Sequence, residues 1–532
     1  MNKSDWQEDL VFSSQSQRKG YGVSTKPAKS KDTRIRVRMI WGVFVVGIAL
    51  LMAKLIYLQV VAEGQYRLNA YNNHVELKRQ VADRGVVYDR NKVELVINVP
   101  AGDKQTRVYP LGPAIAPVMG YISEVKEDEV GCQEGLCYSR GMYVGRSGVE
   151  KEFEVQLRGR DGGKLIEVDS SGQEIREMGG NLPESGNEIV LSLDSRLQKN
   201  MYEALGGKKG SAVALDMQGK VLGLVSSPAY DPAHLEDFLS DKEQLYFLNR
   251  AIAGTYPPGS VYKLVTSLAG LSEGKIEYDT EFEDTGEIKV GSYRYGNWYF
   301  DQYGGKEGSI SVVRALARSN DIFFYKTGEE IGVDKLVSWS KKFGLGGKSG
   351  IELTGEKAGL VPDRLWKERA TGEKWFLGNT YHMAIGQGDL LTTPAQVARM
   401  TLAAVTGRLC QVTLLKENKV ECSEIGLKTE DIAVVREGMR QACETGGTAF
   451  PLFDFEPYVE CKTGTAQHSG QSKNDSLSEA DKVLPHAWIT IAYPGENPEM
   501  ILTVMLEAAG EGSAVAGGVA RTILDGWKAI GK

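Results

Sequence analysis

Residues 39–61 (MIWGVFVVGIALLMAKLIYLQVV) constrain this chain more than any other segment. The run is apolar over the ~20 residues that a helix needs to cross the hydrocarbon core of a bilayer. Lys54 is the only charge inside it. A lysine stem is long enough to carry its ammonium to the headgroup layer, so Lys54 is compatible with a span. Upstream stand Lys3, Arg18, Lys19, Lys26, Lys29, Lys31, Arg34, Arg36 and Arg38 against few acids, and the positive-inside rule predicts that this end stays in the cytoplasm. The tail before the run is long for a signal peptide and Ala-x-Ala cleavage chemistry is missing. An uncleaved anchor is therefore expected rather than a secretion signal.

Everything after Val61 is then exported. At 532 residues the chain exceeds one hydrophobic core of usual size, so two or three folded units are expected. The formal charge of −7, with no basic surplus after residue 62, argues against nucleic acid as a partner. Export makes the six cysteines readable as disulfides. Cys132 and Cys137 close a short loop (CQEGLC), and Cys410 and Cys422 flank a hairpin pattern. Cys443 and Cys461 are left as a third pair, for which buried free thiols are an equal alternative. His74, His234, His382, His468 and His486 share no metal-ligand spacing with the cysteines, so neither a structural zinc nor another cofactor is expected.

The chain divides into a polar tail (1–38) expected to be disordered, the anchor (39–61), a Gly-broken region with short strand-like runs (62–192), and a remainder (193–532). That remainder opens with a helical pattern over 193–205 and a β-hairpin pattern over 211–216 and 221–226. It closes with a second hairpin, 486–493 and 500–507 around PGENPE, and a helix over 515–530. The middle is mostly helical, with Thr393-Pro394-Ala395-Gln396 reading as a capping box. Strands at both ends of a helical middle predict an α+β domain whose terminal strands share one antiparallel sheet.

The chemistry is concentrated at YPPGSVYK. Pro257, Pro258 and Gly259 break structure just before Ser260, and Val261, Leu264, Val265 and Leu268 follow at helical spacing. Ser260 would start a buried helix with Lys263 on its face, placing an amine within reach of the hydroxyl. A serine hydroxyl needs a neighbouring base, and a lysine serves if burial or a second cation keeps it neutral. The Ser-x-x-Lys spacing alone is weak, arising about twice by chance in a chain of this length. It recurs at Ser16 and Lys19 in the tail, and at Ser338 and Lys341 in an amphipathic helix without a preceding breaker. Two further motifs single out Ser260: Ser319-Asn320-Asp321, then Lys462-Thr463-Gly464 with Thr465. A competing Lys326-Thr327-Gly328 lies inside a helical pattern. In the expected site Ser319 relays a proton and Asp321 positions Lys263 or substrate. Lys462 is expected as the second cation, attracting a substrate carboxylate with the Thr463 and Thr465 hydroxyls, beside a small Gly464. The N–H groups of Ser260 and Thr465 are the expected oxyanion donors.

At these residues the chain resembles the class B penicillin-binding proteins, monofunctional peptidoglycan D,D-transpeptidases. ADRGVVYDRN (82–91) and GRSGVEKEFEVQLRGRDG (145–162) are similar to that family's two pedestal motifs, with Lys92 where the family has Gly. WFLGNT (375–380), IGQGDLLTTPAQ (385–396) and Asp321 in place of the commoner Asn look most like the elongation-type penicillin-binding protein 2. The resemblance implies a five-stranded antiparallel sheet flanked by helices, a β-rich pedestal over 62–192, and a catalytic domain over 193–532. It also implies acylation of Ser260 by the D-Ala-D-Ala end of a peptidoglycan stem peptide, loss of D-Ala, and transfer to a neighbouring stem. β-Lactams would acylate the same serine, and glycan polymerisation would fall to a separate membrane glycosyltransferase. Rival readings are a division-type transpeptidase, a D,D-carboxypeptidase or β-lactamase, and a non-enzymatic β-lactam receptor or scaffold. The polar stretch 468–484 reads equally as a mobile loop beside the cleft and as a plain connector.

Overall fold

The computed structural model describes residues 31–67, 74–101, 104–133, 136–169, 171–467 and 484–531. The expectations for the tail before residue 31 and for the stretch 468–483 lie outside the described residues. The chain forms two compact units, one comprising the residues up to Lys78 with Lys164–Gly180, the other Arg79–Gly163 with Asn181–Lys532. In the first, α1 (Lys31–Ile56) continues through a wider turn, Tyr57–Val61. Its apolar side chains are exposed, as lipid-facing residues would be in a protein viewed without its bilayer. Three strands, Val75–Gln80, Gly162–Val168 and Glu174–Asn181, make a sheet in that order.

The second unit is built on a five-stranded antiparallel sheet of β1 (Gly210–Asp216), β2 (Val221–Ser227), β3 (Glu460–Ala466), β4 (His486–Tyr493) and β5 (Met500–Leu506). The order is β2-β1-β5-β4-β3, so the two terminal hairpins are joined at the β1–β5 seam and β3 lies at an edge. The side-chain period of two sorts each strand between two cores. Leu502, Val504 and Leu506 of β5 face α2 (Ser195–Leu205) and the C-terminal helix, Gly517–Ile530. Ile501 and Met505 face the opposite core, where α3 (Lys263–Ser272), α4 (Asp321–Ile331) and α5 (Pro394–Thr406) are packed. Thr393 caps α5 with Gln396 returning the bond, as the capping box predicts.

The two N-terminal motifs meet through charge. Arg84 of ADRG donates to Glu150 Oε2 at 2.5 Å and Glu154 Oε2 at 2.6 Å, both from GVEKEFE, and Arg107 donates to Glu150 Oε1 at 2.7 Å. Glu150 is fully buried, so these guanidinium partners are what make its charge tolerable there. Lys92 adopts φ +62°, the left-handed conformation that glycine takes without cost, so the turn survives with a lysine in it. Asp89 holds that turn through Asn91 N–H and Val93 N–H, and its other oxygen accepts from Ser195 N–H and Oγ at the start of α2.

All six cysteines are paired: Cys132–Cys137, Cys410–Cys422 and Cys443–Cys461. The third bridge resolves the alternative left open by the sequence in favour of a disulfide. Lys326-Thr327-Gly328 lies within α4, which removes it as a strand motif.

Candidate active site

Three segments converge on one buried cluster. The first is the turn before α3, where Gly259 has φ +57° and its N–H donates to Gly386 O at 2.8 Å. Ser260 does not itself open the α-helix. Gly259–Tyr262 is a 3₁₀ turn, and the α-helix begins at Lys263. This tighter turn leaves Ser260 half-buried while Lys263 is wholly enclosed. The second segment is the reversal before α4, where Ser319 has φ +53° and Asn320 caps the helix by accepting from Phe323 N–H. The third is edge strand β3, which carries Lys462 and runs on to Ala466.

Lys263 Nζ donates to Asp321 Oδ1 at 2.7 Å, Ser319 O at 2.8 Å and Ser319 Oγ at 3.3 Å. Lys462 Nζ reaches the same Ser319 Oγ at 2.9 Å and also Thr463 O at 2.9 Å. Ser319 thus bridges two lysines. Its left-handed backbone presents both its carbonyl and its hydroxyl to Lys263, strain of the kind that a functional site retains. Among the described residues no hydrogen bond joins Lys263 Nζ to Ser260 Oγ, so the amine that was expected to reach the serine is turned toward Ser319 and Asp321.

Burial drives the Lys263 pKa below the usual lysine value, with the Asp321 carboxylate opposing the shift. Lys462 is driven well below it by burial and by the charge of Lys263. The difference has a geometric cause. Lys263 touches a carboxylate at 2.7 Å, whereas the oxygens that receive Lys462 belong to a hydroxyl and a carbonyl. Burial and the neighbouring Lys263 charge therefore both weigh against the charged form of Lys462.

The remaining predicted residues lie along β3. Thr463 shares a 2.8 Å hydroxyl contact with Thr448 and is buried, so its hydroxyl is committed to the protein. Thr465 is exposed, and its Oγ1 accepts from Gly512 N–H at 3.2 Å. Gly464 is packed beneath the Ser260 turn, where a Cβ would come within 3.1 Å of Pro258 O and 3.2 Å of Val261 Cγ1.

Supporting residues went unread in the sequence. Asp321 Oδ2 accepts from Trp298 N–H at 3.1 Å, and Asp321 N–H donates to Asn297 Oδ1 at 3.2 Å. Asn297 and Asn320 both donate to Asp284 Oδ2 at 2.9 Å, and Asp284 is almost fully buried. Asp284, Asn297 and Trp298 are separated in sequence from Ser319 and carry no motif. Only the buried hydrogen-bond chain reveals them.

Comparison with known proteins agrees on family and fold. Residues 210–525 match the penicillin binding protein transpeptidase domain, and residues 99–191 match the penicillin-binding protein dimerisation domain. The peptidoglycan D,D-transpeptidase MrdA of Escherichia coli K12 is 31% identical over 451 residues, covering 79% of this chain and 70% of its own. The structure of the complex between penicillin-binding protein PBP2 and MreC from Helicobacter pylori aligns with a TM-score of 0.75 at 27% identity, over 86% of this chain and 99% of that one. A structure described as the coordination of polymerization and crosslinking by a peptidoglycan synthase complex aligns with a TM-score of 0.74 at 28% identity, over 93% and 98% of the two chains.

Proposed function

Because this chain belongs to the penicillin-binding protein transpeptidases that carry a dimerisation domain, we propose that it crosslinks peptidoglycan stem peptides as a serine D,D-transpeptidase, with Ser260 as the nucleophile. The observation that carries this reading is Ser319 Oγ held between Lys263 Nζ at 3.3 Å and Lys462 Nζ at 2.9 Å, two buried amines with depressed pKa values. Such a cluster can accept a proton and pass it on at a pH where an isolated exposed lysine is still charged.

Ser260 Oγ attacks the carbonyl carbon of the penultimate D-Ala, and its proton passes to the lysine–Ser319 cluster. The resulting oxyanion is received by the N–H groups of Ser260 and Thr465. Collapse breaks the C–N bond, the departing D-Ala amine takes a proton from the cluster through Ser319, and an ester on Ser260 remains. The amine of a second stem then attacks the ester and loses its proton to the cluster, and Ser260 Oγ is reprotonated as the new amide forms. Asp321 orients Lys263 throughout. A β-lactam, whose strained amide imitates the same carbonyl, would acylate the same oxygen.

We assign residues 1–38 to the cytoplasm, 39–61 to a single span, 62–192 to a pedestal and 193–532 to the catalytic domain on the outer side of the cell membrane. Three disulfides support an exported, oxidising location. The kinship with MrdA and PBP2 supports a role in cell elongation and shape, with a separate membrane glycosyltransferase supplying glycan and an MreC-type scaffold as partner.

The test is incubation of the full chain with a fluorescent penicillin followed by peptide mapping. Label is expected on Ser260 and absent from Ser260→Ala. Label on another residue would sink the assignment. Paired stem peptides should yield crosslinked dimer, whereas free tetrapeptide alone would indicate a hydrolase.

A further inference from the structure

Strand β3 ends the sheet, so among the described residues one of its edges has no strand partner. Such an edge is a row of backbone donors and acceptors able to take up an extended peptide. In a strand, the N–H and C=O of one residue point to the same side and those of its neighbour to the other, so the backbone groups of 465 and 467 face alike. One side chain holds both positions. Gln387 Nε2 donates to Thr465 O at 3.0 Å, and Gln467 N–H donates to Gln387 Oε1 at 3.2 Å. A primary carboxamide carries the donor and acceptor of a peptide unit, so Gln387 completes this edge much as one residue of a neighbouring strand would.

The capped edge adjoins the nucleophile. A Cβ built on Gly259 would lie 2.9 Å from Thr465 O, the same carbonyl that Gln387 holds, and Ser260 is the next residue. Gln387 is itself tied to that turn through Gly386, whose carbonyl receives Gly259 N–H. An acyl donor whose carbonyl carbon reaches Ser260 therefore carries its flanking amide into the space occupied by the Gln387 carboxamide.

We infer that Gln387 is a specificity-determining residue which stands in for the acyl donor on the β3 edge and yields the Thr465 carbonyl to the N–H of an amide flanking the reacting carbonyl. The inference rests on the reading of Ser260 as nucleophile. Donors with such an amide restore the bond to Thr465 O on displacing Gln387. Donors without one gain nothing from its departure.

The test compares benzylpenicillin, which has an acylamino group, with penicillanic acid, which has no nitrogen at that carbon. The second-order rate of Ser260 acylation is followed by mass spectrometry in full-length wild type, Gln387→Ala and Gln387→Glu. The glutamate variant keeps the shape of the side chain and the acceptor for Gln467 N–H but has no N–H for Thr465 O. Benzylpenicillin is expected to acylate both variants faster, by about fivefold in Gln387→Ala, the worth of one net hydrogen bond. The penicillanic acid rate should be unchanged. Parallel changes with both donors, unchanged rates, or slower benzylpenicillin acylation in both variants would overturn the inference and leave Gln387 as a brace for the strand. Failure of benzylpenicillin to acylate wild-type Ser260 would overturn the nucleophile reading, and this inference with it.

Discussion

Lys263 and Lys462 are both fully buried and share Ser319, with Asp321 as the carboxylate against Lys263. Acylation should therefore rise with pH, through a midpoint below the ordinary lysine value, as the cluster loses a proton. Asp321 raises the pKa of both lysines. Asp321→Asn should remain active, since the family commonly has Asn there, and should move the midpoint to lower pH. A pH–rate profile of penicillin acylation checks this, and a midpoint that stays or rises would contradict the electrostatic account. The same shifts act on stability. Between the depressed folded pKa values and the ordinary value of 10.5, the unfolded chain binds more protons, so stability rises with pH across that window and the full burial penalty applies below it. Lys263→Met should lower acylation by about a hundredfold or more while the protein stays folded. An unchanged rate would remove Lys263 from the proton path. At this scale the motif residues were legible because each motif is short and local. Asp284, Asn297 and Gln387 were not read as site residues, because ordinary polar side chains become part of a site only through contacts that folding creates. The state of Lys462 was illegible for a related reason: the sequence shows two lysines but not which one faces the carboxylate.

The nucleophile turn is held by two backbones in close contact. Gly386 has φ +73°, and a Cβ there would lie 2.1 Å from Gly259 O, with only backbone to give way. Gly386→Ala should destabilise the fold by about 1–3 kcal/mol and slow acylation, seen as a lower melting temperature together with weaker penicillin labelling. Normal values of both would show that the turn tolerates the shift. The Cys443–Cys461 bridge ties the end of the helix Thr429–Ala442 to β3, one residue before Lys462. Closing this short loop is worth about 3 kcal/mol. The double Cys443→Ala, Cys461→Ala variant should therefore melt several degrees lower. An unchanged melting temperature would mean that the bridge adds nothing to packing. Both terminal hairpins were readable from alternating residues flanking turn signals. The helix start was misplaced because a 3₁₀ turn opened by a glycine at positive φ precedes the α-helix.

For the whole molecule, the proposed orientation puts the mass of the chain outside the cytoplasm. Protease added to spheroplasts should leave only a small N-terminal fragment containing α1 intact, whereas survival of the catalytic unit would reverse the topology. The β1–β5 seam pairs Gly210 with Leu506, and Lys462 arrives on β3 long after Ser260 has been synthesised. A sheet closed by such distant segments forms slowly and late. On the proposed mechanism, a chain still emerging from the translocon therefore bears Ser260 without Lys462 to complete its proton path. The enzyme is switched on by its own completion, and a truncated chain would be inert toward both cell wall and drug.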